Sequence, residues 1–322
     1  MFTHKDIEYR SVFVIDCIHE KTLRVSNGEL LLENTEEKKT LTKLPFQKIL
    51  ALIVIGHINV TTPLIDKCKK YNVALVVVTP SFRPVFFWAL SAEGNFLLRQ
   101  RQYQLKKDDL SIAKVLVRNK VLNQMSNLKS TRCRDELTQK AIRTSKEVLE
   151  AIPCIEDYNL LMGMEGKIAK LYFAAYFKDT DWKGRKPRMK CDMMNAVLDI
   201  GYTLLFNYIE VFVRMFGFDP YVGVYHRLWF RRKSLICDLV EPFRCLIDKT
   251  IRKAVHLKQI QESDFNVYKG EYRLKVEKNT EYCSLFYSVL VSRKIDVFKY
   301  VQSYYRCFMR NREGEYYPMF EI

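Results

Sequence analysis

Ile49-Leu50-Ala51-Leu52-Ile53-Val54-Ile55, then Thr62-Pro63, then Val73-Ala74-Leu75-Val76-Val77-Val78 is the stretch that decides the fold. Each apolar run is short, rich in β-branched residues and uninterrupted, as expected of a strand buried on both faces. Thr62 offers an N-cap and Pro63 a first-turn proline, so a helix runs between the strands to about Tyr71, where Asn72 closes it. Strand, helix, strand implies a parallel crossover. Upstream, Val12-Phe13-Val14-Ile15, Thr22-Leu23-Arg24-Val25 and residues 29–32 are further short strands, with Asn27-Gly28 as a tight hairpin turn. Residues 33–39 read as a charged loop. Downstream, Pro80, Pro84 and Ser91-Ala92-Glu93-Gly94 punctuate the chain, and Gly94 is a candidate hinge. From Phe96 the apolar spacing becomes helical (Leu97, Leu98, Tyr103, Leu105, Ile112, Val115, Leu116, Val121, Leu122), broken only by Pro153, Pro187, Pro220, Pro242 and Pro318. The expected class is α+β: a β-rich domain over 1–92, then a larger, nearly all-α domain over 96–322.

The 322 residues are 48% hydrophobic and 13% aromatic, enough for a sizeable core and too apolar for disorder. Lysine and arginine outnumber acids 53 to 37, a net charge of +16 that favours a polyanionic partner. Nucleic acid is preferred to anionic membrane because no amphipathic anchor is evident. Apolar runs such as 49–55 are far short of the ~20 residues that span a bilayer. Met1-Phe2-Thr3-His4-Lys5-Asp6 carries no apolar signal run. A soluble, cytoplasmic protein is expected. Cysteines at 17, 68, 133, 154, 191, 237, 245, 283 and 307 are scattered without a C-x-x-C pair, which suits reduced thiols packed as small hydrophobes. His57 reads as a polar residue at a strand end, and His4, His19 and His256 belong to no constellation.

Candidate chemistry lies in two later segments. In Leu160-Leu161-Met162-Gly163-Met164-Glu165-Gly166-Lys167-Ile168-Ala169-Lys170-Leu171-Tyr172-Phe173, helical spacing sets Glu165 on one stripe with Leu161, Ile168 and Tyr172. A carboxylate there is costly unless something pairs with it. Flanking Gly163 and Gly166 weaken the helix but let another group approach its backbone. The second segment runs Gly217-Phe218-Asp219-Pro220-Tyr221-Val222-Gly223-Val224-Tyr225-His226, then Arg227-Leu228-Trp229-Phe230-Arg231-Arg232-Lys233, then Ser234-Leu235-Ile236-Cys237-Asp238-Leu239-Val240-Glu241-Pro242-Phe243-Arg244. A turn precedes His226, and Ser234 can cap a helix that aligns Asp238, Glu241, Arg244 and Asp248. Pro242 removes the N–H that the Asp238 carbonyl would accept, predicting a kink beside two acids. Two carboxylates and an imidazole suit Mg²⁺ or Mn²⁺. A satisfied core His226, a solvated Asp238/Glu241 face and a Glu165 paired with a nearby Lys or Arg would account for the same residues.

Four ordered blocks over about 159–250 add a resemblance. Met162-Gly163-Met164-Glu165-Gly166 with Ala169, Asp192…Asn195-Ala196-Val197-Leu198…Gly201-Tyr202-Thr203-Leu204-Leu205, and the two blocks ending at His226 and Arg244 resemble the CRISPR-associated endonuclease that serves as integrase in spacer acquisition. The resemblance implies that Glu165, His226 and Glu241 hold the divalent metal, Mg²⁺ or Mn²⁺. Glu241 stands where many members have Asp, leaving Asp238 a secondary role, as ligand orienter or proton acceptor. Met193-Met194 replace prolines found in some members. It further implies a homodimer paired through the β-rich domain and bridged, as two dimers, by a small ferredoxin-like CRISPR adaptation subunit in a heterohexamer. The reaction would be insertion of short DNA fragments into a repeat array by transesterification.

Basic residues fit double-stranded DNA as the partner, both incoming fragment and repeat array. Arg185, Lys186 and Arg188 lie in a Gly/Pro-containing loop, readable as a phosphate-contacting arm or a solvated linker. Arg227, Arg231, Arg232 and Lys233 interleave with Trp229 and Phe230, a pattern for gripping a phosphodiester and stacking a splayed base, with Trp229 equally readable as core. The basic, aromatic tail from Tyr304 to Pro318 either contacts a partner or packs. Two other functions use the same residues: a stand-alone metal-dependent structure-selective nuclease, and a non-catalytic basic DNA-bridging scaffold.

Overall fold

The computed structural model describes residues 3–18, 21–89, 94–106, 108–132 and 135–322; Met1, Phe2, His19, Ser91, Ala92, Glu93 and Cys133 lie outside them. Helix α1 (His4–Tyr9) precedes β1 (Ser11–Cys17), β2 (Lys21–Ser26), β3 (Glu29–Asn34), β4 (Lys39–Pro45) and β5 (Ile49–Gly56). Helix α2 (Thr62–Tyr71), β6 (Ala74–Val78) and β7 (Pro84–Trp88) follow. The crossover is present: β5 pairs in parallel with both β1 and β6, and β7 closes the edge antiparallel, giving the order β1-β5-β6-β7. Thr61 rather than the expected Thr62 takes the cap position of α2, without a side-chain cap bond; Pro63 follows two residues later in the first turn, and the helix ends on Asn72 in the left-handed region at φ 55°. Strands β2, β3 and β4 form a separate antiparallel sheet. Its first turn puts Asn27 and Gly28 at φ 50° and 81°, the signs a two-residue hairpin requires.

Both faces of β5 and β6 are covered, which is why their sequences show no alternation. Leu52, Val54, Leu75 and Val77 pack with Leu23, Leu30, Phe46 and Leu64, under α2 and the small sheet. Ile53, Ile55, Val76 and Val78 belong instead to the core of the helical region. Polar ties reinforce that second face: Asn207 Nδ2 donates to the Phe82 carbonyl at 3.0 Å, and Asn279 Nδ2 to that of Pro80 at 3.0 Å.

The helical region comprises α3 (Phe96–Tyr103), α4 (Ser111–Ser130), α5 (Glu136–Ala151), α6 (Tyr158–Tyr176), α7 (Met193–Met215), α8 (Ser234–Val240), α9 (Arg244–His256), α10 (Asn279–Ser292) and α11 (Lys294–Met309). It is interrupted by an unexpected hairpin, β8 (Phe265–Tyr268) and β9 (Glu271–Leu274), turned by Lys269 and Gly270 at φ 51° and 78°. Helix α7 corrects the expectation that apolar runs are short: it is long and apolar enough to cross a membrane. However, 83% of its apolar window is buried inside the protein, which makes it a core helix. The aromatic tail packs: Tyr304 and Tyr317 are buried, and Phe320 lies 4.3 Å from Phe243, ring to ring.

At Pro242 the expected kink is a full break, with a 3₁₀ turn, Glu241–Phe243, separating α8 from α9. The Glu241 N–H reaches the Asp238 carbonyl three residues back, a bond the missing proline N–H leaves open. Ser234 does not cap α8. Its hydroxyl instead donates to the Arg227 carbonyl at 3.1 Å and pins the preceding loop.

Candidate metal centre and nucleic-acid face

Glu165 lies on α6 as its spacing requires, with Leu161, Ile168 and Tyr172 buried beside it. A side chain at Gly163 or Gly166 would meet nothing within 4 Å, so the glycines line an open face that the chain's own packing does not need. Glu241, 5% exposed, reaches the same place from the 3₁₀ turn. Between them stands Lys120 of α4. Its ammonium donates to Glu165 Oε1 and lies 2.6 Å from Glu241 Oε2. Arg244 Nε pairs with Glu241 Oε1 at 3.0 Å, and its guanidinium stacks 4.5 Å over Tyr202.

The electrostatics follow. Burial works against ionisation of Glu241, but Arg244 and then Lys120 outweigh it and hold the carboxyl well below its usual range. Burial likewise opposes charge on Lys120, and Glu241 and Glu165 overcome it, raising the ammonium's pKa. Burial pushes the Tyr225 hydroxyl up, and the negative charges of Glu165 and Glu241 add to the push.

His226 is held by Asp238. The Asp238 carboxylate, fully buried, accepts from the backbone amides of Val224, Tyr225 and His226 at 2.6, 3.1 and 2.8 Å. It also lies 2.7 Å from His226 Nδ1. A carboxylate can only accept, so Nδ1 carries a proton, and whenever the ring is neutral its free lone pair is on Nε2. Gly223 makes this possible: a Cβ there would sit 2.6 Å from Asp238 Oδ2 and 2.8 Å from the Ser234 carbonyl carbon. Gln102 of α3 anchors the turn itself, accepting from Asp219 N at 2.8 Å and donating to the Val222 carbonyl at 3.2 Å.

The expected ligand set thus resolves into two pairings, Glu165–Lys120–Glu241 and His226–Asp238. Among the described residues no three His, Cys, Asp or Glu side chains gather as a group able to hold an ion. A lysine-paired Glu165 and a satisfied His226 are the arrangements the sequence left open; a solvated Asp238/Glu241 face is not found, since both are buried. The donors still fit a hard divalent cation. Two carboxylates already converge on one positive centre, and the imidazole lone pair is left unused by Asp238.

The basic residues divide. Arg185 is committed internally, to Asp199 at 2.6 Å, Asn195 at 3.0 Å and the face of Tyr202. Lys186 and Arg188 are tied through their backbone amides to Asn195 and Asp199, so this loop is folded rather than a solvated linker. Lys233 gives its ammonium to both oxygens of Glu210 at 2.7 Å. Arg227 stacks 3.9 Å over Tyr158, and Arg231 covers Phe230. Arg232 faces the Cys237 thiol. Trp229 is not core: with Leu228 and Phe230 it forms an exposed tip, 76% accessible. A cavity of about 590 Å³ opens beside Glu241, walled by Arg83, Lys120, Arg185, Arg188, Lys190 and Arg244 among others.

Sequence reasoning missed α4's contribution. Asn119, Asn123 and Asn127 recur every fourth residue on a buried face; Asn123 Nδ2 donates to the Pro242 carbonyl at 2.9 Å, fixing the break that carries Glu241. Polar amides at that spacing among Leu116, Val121 and Leu128 were the available signal.

The family described as CRISPR associated protein Cas1 matches residues 17–287. A CRISPR-associated endonuclease Cas1 of Thermodesulfovibrio yellowstonii is 29% identical over 233 residues, 69% of this chain and 73% of that one. Among solved structures, a chain of a Cas6-RT-Cas1–Cas2 complex superposes with a TM-score of 0.77 at 18% identity, covering 97% of this chain and 36% of that one. A casposase bound to integration product gives 0.74 at 20% identity, covering 97% and 94%. With the family match spanning most of its length, the chain belongs to the Cas1 family.

Proposed function

We propose that this protein is a divalent-metal-dependent DNA integrase that inserts short DNA fragments into a CRISPR repeat array. The observation that carries the reading is the convergence of Glu165 and Glu241 on one cationic centre, with Asp238, three residues before Glu241, locking Nδ1 of the His226 imidazole. Glu165, Glu241 and His226 Nε2 would hold Mg²⁺ or Mn²⁺, which supplies charge stabilisation to an in-line phosphoryl transition state and acidifies the attacking hydroxyl. In the reaction, a 3′-hydroxyl of the incoming fragment attacks a phosphodiester at the repeat border. The displaced 3′-oxygen of the target strand leaves, one phosphodiester replaces another, and no nucleoside triphosphate is consumed. Asp238 keeps His226 in the tautomer that presents Nε2. Arg244, with Arg83 and Arg188 on the wall of the adjacent cavity, holds phosphate oxygens, and the exposed Trp229 and Phe230 offer rings on which an unpaired base can stack.

The neighbour titled as bound to an integration product supports the transfer chemistry, and the one titled a Cas1–Cas2 complex supports a small ferredoxin-like adaptation subunit as partner. We place dimer formation on the strand-rich region, 1–92, catalysis on 96–322, and the working protein in the cytoplasm. The test is a repeat-bearing plasmid, short duplexes and Mn²⁺: joined products support the integrase, cut ends alone indicate a structure-selective nuclease, and binding indifferent to chelator and to Glu165→Ala indicates a scaffold.

A further inference from the structure

We propose that Lys120 is the counter-cation that keeps Glu165 and Glu241 together until a divalent ion takes its place, so that loading the metal and releasing the lysine are one exchange. The inference rests on the reading of those two acids as metal ligands and adds a residue to their site. Lys120 comes from a third element, α4, whose own packing is secured by its asparagines. Its side chain is 12% exposed and its ammonium touches both carboxylates. Without it, two acids would share a poorly hydrated gap, with the Arg244 pair to Glu241 as the remaining compensation among the described ion pairs.

Charge arithmetic argues for exchange over addition. Glu165, Glu241, Lys120 and Arg244 sum to zero. A divalent ion added beside the ammonium would leave two excess positive charges in a largely buried site and set like charges in contact. The ammonium has somewhere to go, because Lys120, Glu241 and Arg244 all wall the open cavity. Displaced into it, Lys120 faces whatever anion lies there, and a DNA phosphate is the ligand the neighbouring arginines suit. Lys120 is therefore a positioning residue before loading and a phosphate contact after it.

The test follows Mn²⁺ binding to the full chain by electron paramagnetic resonance, with melting curves, at one fixed pH. Lys120→Met should lower the melting temperature of the metal-free protein, bind Mn²⁺ about tenfold tighter, and show a larger Mn²⁺-induced rise in melting temperature. Lys120→Arg should keep the metal-free stability and gain no affinity. Equal or weaker Mn²⁺ binding by folded Lys120→Met overturns the proposal. Should that variant not fold, amine acylation of the wild type, read by mass spectrometry at Lys120, decides: Mn²⁺ must raise the labelling rate, and an unchanged rate overturns it. Wild type that binds no Mn²⁺ removes the metal-site reading together with this one. Wild type that binds Mn²⁺, tightened in Lys120→Met, yet joins no DNA leaves the exchange standing and sinks the integrase alone.

Discussion

Two buried acid clusters in this molecule are built from the same residue types and to different ends. Glu210, fully buried on α7, has both oxygens taken by Lys233 at 2.7 Å and one also by Arg214 at 2.8 Å. Arg214 in turn stacks on Phe87 of β7, so this cluster joins the end of the His226 loop to the sheet. It has one acid, two cations and no acceptor to spare. The Glu165–Glu241 cluster instead has two acids meeting at one lysine, on the wall of an open cavity. A closed cluster stabilises; an acid-rich one whose central cation can be exchanged is equipped to bind. Position alone would not separate them, since a lysine pairs an acid in each.

The largest effect that sharpens this contrast is on activity. Glu165→Ala, His226→Ala or Glu241→Ala should lower strand joining on the order of a thousandfold while salt-sensitive DNA binding persists; melting curves should hold for the first two, whereas Glu241→Ala also lowers the melting temperature because it strips Arg244 and Lys120 of a buried acid. Wild-type joining by any one of them removes that residue from the site. Glu210→Ala should do the converse. It leaves two cations with no acid, which costs about 3 kcal/mol, the low end for a broken buried pair because Arg214 and Lys233 can turn toward water. Urea unfolding measures this, and joining per folded molecule should survive. Loss of joining without loss of stability would erase the distinction between the clusters.

Asp238→Asn comes next. The amide keeps the shape, but its NH₂ can face the donors that the carboxylate satisfied, so His226 loses its fixed tautomer and the turn loses acceptors. Mn²⁺ affinity and joining should both fall by about 10- to 100-fold. An unchanged Mn²⁺ affinity would mean that Asp238 serves the loop and not the imidazole.

How much of this was legible can be read from single residues. The crossover was, because β5 and β6 are apolar on both faces and Pro63 and Asn72 mark the helix between them. Strands β4 and β7 were not: one is largely polar and exposed, and the other begins at Pro84, which reads as punctuation. Glu165 stood out as a charge on an apolar stripe, and Pro242 as a break inside an acidic face. Lys120 gave no such sign. A single lysine among 53 basic residues is unremarkable, and its partners come from two other elements that only the fold brings together. Lys233 shows the reverse error: it sits in a basic run, yet its charge faces inward to an acid 23 positions earlier.

The smallest effect concerns a third acid, Asp248 of α9, which separates burial from binding. It accepts from Tyr202 at 2.5 Å and Tyr172 at 2.9 Å, with no ion pair to a cation among the described residues. Burial pushes its carboxyl up to about 6, against the pull of the Tyr202 and Tyr172 hydrogen bonds. The folded state therefore holds this proton more tightly than the unfolded chain does. That stabilisation is complete below about pH 4, the unfolded value, and is lost as pH rises through 6. Asp248→Asn cannot ionise, so relative to wild type it should gain about 1–2 kcal/mol between pH 4.5 and 7.5. Urea melts at the two pH values measure the difference. A gap that does not change with pH would mean that Asp248 is charged throughout, placing it with the ionised acids around Lys120 rather than apart from them.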